Sequence, residues 1–386
     1  MVITGGGWGH GLGLSQWGTY ERARKGQSAR RILRHYYTDT TVEKTDLPNK
    51  VRVGLLQAQT VMEFESTGGV AWSLGSNIFS TGTRRTSWRV EPAKSGAVRV
   101  FRNGTEVSIK GDSTLGGKKP VRIEYEPYGS LLEVVDKANH YKYGQMEIGS
   151  YGGSCEGGRC MRLVNEIPME DYVLGIAEVS ASWPTESLRA QATIARTYVS
   201  YKANTSGGHR DPCDCTVYDN SYDQVFLGQD RKYEAGSYWK FWKNAVESTK
   251  GQAVLYNGQP ILALYMSSSG GHTENNEDVW GGTPLPYLRG VRDRADATDA
   301  NIYHRWRVEM SRAAFSSKLD AYFGTGTLKR FRIKKPLGIS GRVTVVKGED
   351  TGGVRIVGSA RTVRASGSQV KTALGLRDTL FSVRVD

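Results

Sequence analysis

Residues 165–201 read NEIPMEDYVLGIAEVSASWPTESLRAQATIARTYVSY, and the helix breakers in that run predict two helices around one acidic residue. Pro168 suits the first position of a short helix and Gly175 its end, while Pro184 opens a second helix in which Leu188, Ala192, Ala195 and Val199 recur on one face. Glu178 falls in the turn between them. Its neighbours Ile176, Ala177 and Val179 are apolar, and the nearest basic residue along the chain is Arg189. Desolvation in such a setting disfavours the charged form and would push the carboxyl pKa upward, as a carboxylic general acid requires. The local sequence also allows an ordinary solvated turn glutamate.

More of the chain carries a pattern. Glu178 is followed by Ser182-Trp-Pro184 and then by Leu188-Arg-Ala-Gln-Ala192 and Ala195-Arg-Thr-Tyr198. Further on come Asp223-Gln-Val-Phe226, a helix expected from Trp239 to Lys250 with Gly251 after it, and Tyr265-Met-Ser-Ser-Ser-Gly-Gly-His-Thr-Glu274. Val279-Trp-Gly281 and Pro286-Tyr-Leu288 complete the series. In order and rough spacing this resembles the stage II sporulation protein D family, also called the amidase-enhancer or SpoIID/LytB domain. The N-terminal run Gly7-Trp-Gly-His-Gly-Leu-Gly-Leu-Ser-Gln16 resembles a second family signature, and Leu374-Gly-Leu-Arg-Asp-Thr-Leu-Phe381 a third. In many family members the glycine-rich signature follows that last segment, whereas here it opens the chain, so the order reads like a circular permutation. It predicts that Val2–Thr4 lies beside the strand expected at Phe381–Val385, since domain termini are often close. On the same reading His10 and Gln16 would share a cleft with Glu178.

With 386 residues and 38% hydrophobic content the chain is globular and long enough for two or more cores. The expected class is α+β: a mixed catalytic core over 161–386, an inserted mostly-β domain over 50–160, and residues 1–45 as a glycine-rich motif with two helices that belong to the core. The β expectation rests on short, partly alternating segments at Val51–Leu56, Ala97–Phe101, Val121–Tyr125 and Leu131–Val135. Beyond residue 305 a helix capped by Ser311, strands near Phe331, Val343–Lys347 and Val354–Val357, and a helix at Gln369–Leu374 are expected. Ile261–Met266 reads as a buried strand that delivers Ser267-Ser-Ser-Gly-Gly-His272.

A net charge of +13 points to an anionic partner, with nucleic acid, anionic lipid and a cell-wall polymer as candidates, or serves solubility alone. No zinc-finger spacing, basic heptad region or RNA-binding signature accompanies the scattered cations, which argues against nucleic acid and favours a wall polymer rich in carboxylates and phosphodiesters. No apolar run reaches the roughly 18 residues of a membrane span. A basic start with an apolar h-region is also lacking, so either a signal segment has been removed or export takes another route. The four cysteines form two close pairs, which suggests an oxidising, extracytoplasmic, secreted or wall-associated location. Cys155 and Cys160 close a small loop suited to a disulfide. For Cys213 and Cys215 a disulfide competes with a zinc site completed by His209, although only three ligands can be named and a structural zinc site normally takes four. No other cofactor is expected.

The glycine-rich N-terminus matches neither a P-loop nor a dinucleotide fingerprint, but its backbone could approach a ligand closely. Near Ser267 the Gly-x-Ser-x-Gly elbow is absent, which argues against a serine nucleophile. The family resemblance implies a lytic transglycosylase acting on peptidoglycan glycan strands, for which one carboxylate suffices where ordinary glycosidases use two. Glu178 is then the acid/base. Arg196, Tyr265, Ser267, Ser268, Ser269, His272, His10, Ser15 and Gln16 are the substrate-binding candidates. The resemblance also implies the opposing reading, a non-catalytic enhancer of a wall amidase, with that hydrolase as partner.

Overall fold

The computed structural model describes residues 1–74, 77–80, 84–92, 98–107, 121–156, 159–348 and 351–384; of 74 and 77–80 only the backbone is described. Ala97, Gly157, Gly158 and Val385, which figure in the expected strands and the first cysteine loop, lie outside those residues. The chain divides into two units, one of residues 1–43, 183–194 and 254–386, the other of 44–182 and 195–253.

In the first unit the two ends of the chain share a sheet. Val2–Gly5 is the central strand, antiparallel to Trp306–Glu309 on one side and to Phe381–Arg384 on the other. The adjacency expected for Val2–Thr4 and the closing strand is therefore present. Ile3 is fully buried from this sheet into a core with Phe315, Leu319, Ile356, Val370 and Phe381. Helix boundaries follow the capping chemistry in the sequence. Ser28 caps Ala29–Tyr36 and Ser311 caps Arg312–Phe323, each hydroxyl accepting a backbone N–H. Ser366 and Gln369 form a reciprocal capping box at the start of Gly367–Leu374, and Gly375 ends that helix in the left-handed region.

Two strand expectations fail here. Val343–Lys347 is no strand: its amides go singly to Thr379, Asp278 and Thr351 carbonyls, contacts set by tertiary packing. The run Ile261–Met266 is paired only at Tyr265–Met266, parallel to Leu14–Ser15. Leu264 lends its carbonyl to the Leu14 N–H and the Tyr37 hydroxyl, which leaves no regular ladder before Tyr265.

The second unit is built on two sheets. A seven-stranded sheet has as neighbours Val217–Tyr218, Lys50–Gln59, Met161–Pro168, Gln145–Ser150, Val121–Glu124, Ala71–Leu74 and Asn77–Ser80. A six-stranded antiparallel sheet contains Met62–Ser66 and Thr86–Pro92. They meet through Trp72 of the first against Phe64 and Trp88 of the second, with ring centroids 6.3 and 5.1 Å apart and all three side chains buried. Helix Met169–Leu174 leaves Met161–Pro168 directly, with Pro168 before it and Gly175 after. Both sheet and helix content bear out the α+β class.

Candidate functional site

Glu178 lies in the loop that follows Leu174, whose first residues, Gly175 to Glu178, are hydrogen-bonded to the Asp223–Leu227 stretch. The Leu227 N–H donates to Gly175 O, Ile176 bridges Phe226, and the Ala177 N–H donates to Val225 O. The next donor in that series, the Val225 N–H, reaches the Glu178 carboxylate at 2.6 Å. Backbone pairing on one side thus fixes the side chain on the other. The loop is closed from below as well. Arg231, almost wholly buried, donates to Val179 O at 2.7 Å, and the Trp242 indole donates to Leu174 O at 2.9 Å. Phe226 stacks on Tyr172 with centroids 5.2 Å apart, and the Tyr172 hydroxyl donates to the buried Gln224. Glu178 itself is half-buried.

The neighbouring carboxylate Asp223 is committed elsewhere. It accepts from Arg210, from Tyr198 at 2.7 Å and from the Tyr218 N–H at 2.9 Å. Burial alone would raise its pKa, but these bonds hold it below the usual carboxylate value. Arg196, a substrate-binding candidate, has no exposed surface. Its guanidinium binds Glu170 through two bonds of 3.0 and 2.6 Å and reaches Gln252 O.

The remaining candidates all belong to the first unit, where the N-terminal signature and the Tyr265–Glu274 run are knitted together. Trp8 and Ser268 exchange both backbone bonds, the Trp17 N–H reaches Ser267 O, and the Glu274 N–H reaches Gly11 O. Ser15, Ser268 and Ser269 are fully buried. The hydroxyls of Ser15 and Ser268 donate to Asp296 at 2.8 and 2.9 Å, and that of Ser269 to Asp293 at 2.9 Å. Ser267 is half-buried, Gln16 contacts Gln191 at 3.4 Å, and the His272 imidazole meets Thr273 O at 2.7 Å.

His10 is held in one tautomer by the Leu12 N–H, which donates to its Nδ1 at 3.0 Å. Burial, with Lys371 and Arg342 adding to it, pulls the imidazole down to about 4, so it is neutral near pH 7. Its ring lies 5.4 Å from that of the exposed Trp280. The close backbone approach that the glycines permit is made to the protein itself. At Gly11, with φ +90°, a Cβ would lie 2.5 Å from Arg342 Nε, and at Gly7, with φ +82°, 2.7 Å from Asp378 Oδ2. Arg342 and Asp378 form a buried ion pair at 2.8 Å beneath the loop.

Sequence reasoning missed Asp293, Asp296, Arg342 and His304, whose Nδ1 lies 2.9 Å from the Asp296 carboxylate. Arg292-Asp-Arg-Ala-Asp296 looks like a solvated charge run, yet both aspartates are fully buried, and burial beside Asp296 raises Asp293 to about 6. Nothing local signals this, because the partners are serines about 25 or 280 residues away in sequence.

Both cysteine pairs are disulfides, Cys155–Cys160 and Cys213–Cys215. Disulfide sulfurs are not thiolate ligands, and His209 is bonded to Asp214, so the donor set proposed for zinc does not fit.

Residues 158–256 match the model of the stage II sporulation protein (SpoIID) family. The chain is 32% identical over 221 residues to a protein of Brachyspira hyodysenteriae, covering 56% of this chain and 50% of that one. It is 35% identical over 140 residues to the stage II sporulation protein D of Bacillus subtilis, covering 34% and 40%. The amidase enhancer of Bacillus subtilis is 35% identical over 142 residues, 36% of this chain and 17% of the enhancer. The chain thus spans about half or less of the length of these relatives.

Proposed function

The chain belongs to the stage II sporulation protein D family, and from that premise we propose that it is an extracytoplasmic lytic transglycosylase that cleaves peptidoglycan glycan strands. The observation that supports this most is Glu178, half-buried and held by a backbone N–H on a loop within the matched segment. In the proposed reaction the protonated Glu178 gives its proton to the glycosidic oxygen as the C1–O bond of the muramic residue breaks. The resulting carboxylate then takes the proton of the C6 hydroxyl as that oxygen bonds to C1, closing a 1,6-anhydro ring and restoring the acid. No second carboxylate and no water are consumed. His10 and Gln16 are assigned to sugar positioning, as are Tyr265, Ser267 and His272; His10→Ala should raise KM with kcat little changed.

The test is mass spectrometry of purified glycan strands, intact and peptide-stripped, after incubation with the wild type and Glu178→Gln. Anhydro-muropeptides with the first and none with the second support the reading. No product from the wild type, or equal product from the variant, sinks it. The match to an amidase enhancer keeps a second reading alive, a wall-binding stimulator of an amidase. Under that reading Glu178→Gln stimulates a purified N-acetylmuramoyl-L-alanine amidase as well as the wild type does.

A further inference from the structure

The sheet of Leu328–Ile333, Val354–Gly358 and Thr362–Ala365 has one face in the first unit's core and one outside it. Phe331, Ile333, Val354, Ile356 and Val363 point inward. Alternation therefore turns Arg330, Arg332 and Arg355 outward, and Lys334 follows the outer strand's last residue. With Lys329 and Val357 they line a groove of about 390 Å³. The strand register also sets Arg332 opposite Arg355, and Arg355 opposite Arg364, a row of three arginines across three strands. Like charges directly opposite each other destabilise a sheet. Among the described residues no carboxylate forms an ion pair with Lys329, Arg330, Arg332 or Arg355 to offset that repulsion.

We propose that this face is a binding site for a phosphodiester-linked polyol polymer, a linear chain of phosphates without bases. Arginine forks suit bidentate oxyanions. Along the outer strand Arg330 and Arg332 stand two residues and about 6.8 Å apart, and Lys334 follows just past the strand's end. Such a row asks for an anion that repeats at monomer spacing along one chain, as phosphodiesters do and carboxylates on separate stem peptides do not. Single-stranded nucleic acid would bring the same phosphates, but its binding sites add aromatic stacking platforms, and no aromatic side chain lines this groove. A lipid surface would call for apolar side chains to insert, and Val357 alone is apolar there. The site lies outside residues 158–256 and does not depend on the reaction proposed for Glu178.

The experiment measures fluorescence anisotropy of end-labelled poly(glycerol phosphate) with the full chain over a range of salt. Binding is expected, with affinity falling as salt rises. The double variant Arg332→Ala, Arg355→Ala should bind roughly tenfold more weakly or worse. Its log–log salt slope should be shallower by about 2, one for each contact removed. Relief of the repulsion should leave its melting temperature unchanged or higher, which separates lost binding from lost fold. Arg30→Ala with Arg34→Ala removes the same charge from an exposed helix face and should leave binding unchanged. Equal weakening in that control would reduce the site to diffuse charge and overturn the proposal. So would tighter binding of oligothymidylate of equal phosphate number, or of phosphatidylglycerol vesicles, with the same loss in the double variant.

Discussion

Val2 stands opposite Arg384 in the antiparallel pairing of the first and last strands, with Ile3 opposite Val383 one step further in. Residues near the two ends of the chain are therefore neighbours across a ladder. Joining the ends through one or two added glycines should leave the far-UV circular dichroism unchanged and the melting temperature no lower. Ile3 occupies the central strand with no exposed surface, so Ile3→Ala should cost roughly 2–5 kcal/mol by urea denaturation. It follows that removing residues 1–18 deletes a core strand along with the glycine-rich signature.

How much of this was legible in advance depends on how local the cause is. The caps Ser28 and Ser311 and the break at Gly175 act within one turn, and the sequence shows them; the helix expected from Gln369 starts two residues earlier, behind the Ser366 cap. Val343–Lys347 has the composition of a strand, yet its partners come from three separate segments, and only packing decides among them. The same holds for Asp293 and Asp296, whose burial is invisible in a run of alternating charge. Ser15, Ser268 and Ser269 were legible as a polar set, but which oxygens their hydroxyls face was not.

The contact between the Glu178 loop and the Asp223–Phe226 segment can be loosened from a distance. A Cβ at Gly175 would lie 2.3 Å from the Phe226 ring, although the backbone angle there suits any residue. Gly175→Ala should therefore cost about 1–3 kcal/mol by overpacking. It should also shift the Val225 amide proton upfield as its bond to Glu178 lengthens. Glu178→Gln should move the same resonance, and if neither variant does, that bond is not formed in solution.

His10 and Asp293 give the first unit opposed responses to acid. His10 has a folded value of about 4 against the usual 6.5, so as pH falls through that window the unfolded chain takes a proton the folded chain refuses, and stability drops. Asp293 has a folded value of about 6 against 3.8, so between those values the folded chain holds the extra proton and stability rises as pH falls. Imidazole resonances of His10 should stay in the neutral position down to about pH 5. Lys371→Met, which removes one of the charges that assist burial, should raise the midpoint while leaving it below 6.5.

The disulfides predict a mass. With two bridges the non-reduced chain should be lighter than the reduced one by about four hydrogens, two per bridge. Elemental analysis showing one zinc per chain would instead put Cys213 and Cys215 in the thiolate state.

The Cys213–Cys215 bridge also encloses Asp214, which holds φ at +50° and turns its carboxylate to Arg52 and Arg162. Those arginines share Glu147, buried in the seven-stranded sheet, at 2.7 and 3.4 Å. Burial would raise the Glu147 carboxyl, but the Arg52 bond and the charges of Arg52 and Arg162 hold it below the usual value. Its contribution to stability is thus present above about pH 4.5 and lost as pH falls through the lower folded value. Glu147→Gln removes the shared, most buried anion and leaves Arg52 and Arg162 with Asp214, and Arg52 with Glu166 as well, as their remaining carboxylates. The expected cost is about 1.5–3 kcal/mol at pH 7, read from urea midpoints. The variant's stability should also fall less steeply than that of the wild type between pH 5 and pH 3, because the carboxyl whose titration drives part of that loss is gone. An acid limb as steep as the wild type's would mean that the pairing with Arg52 and Arg162 does not set the acid stability of this unit.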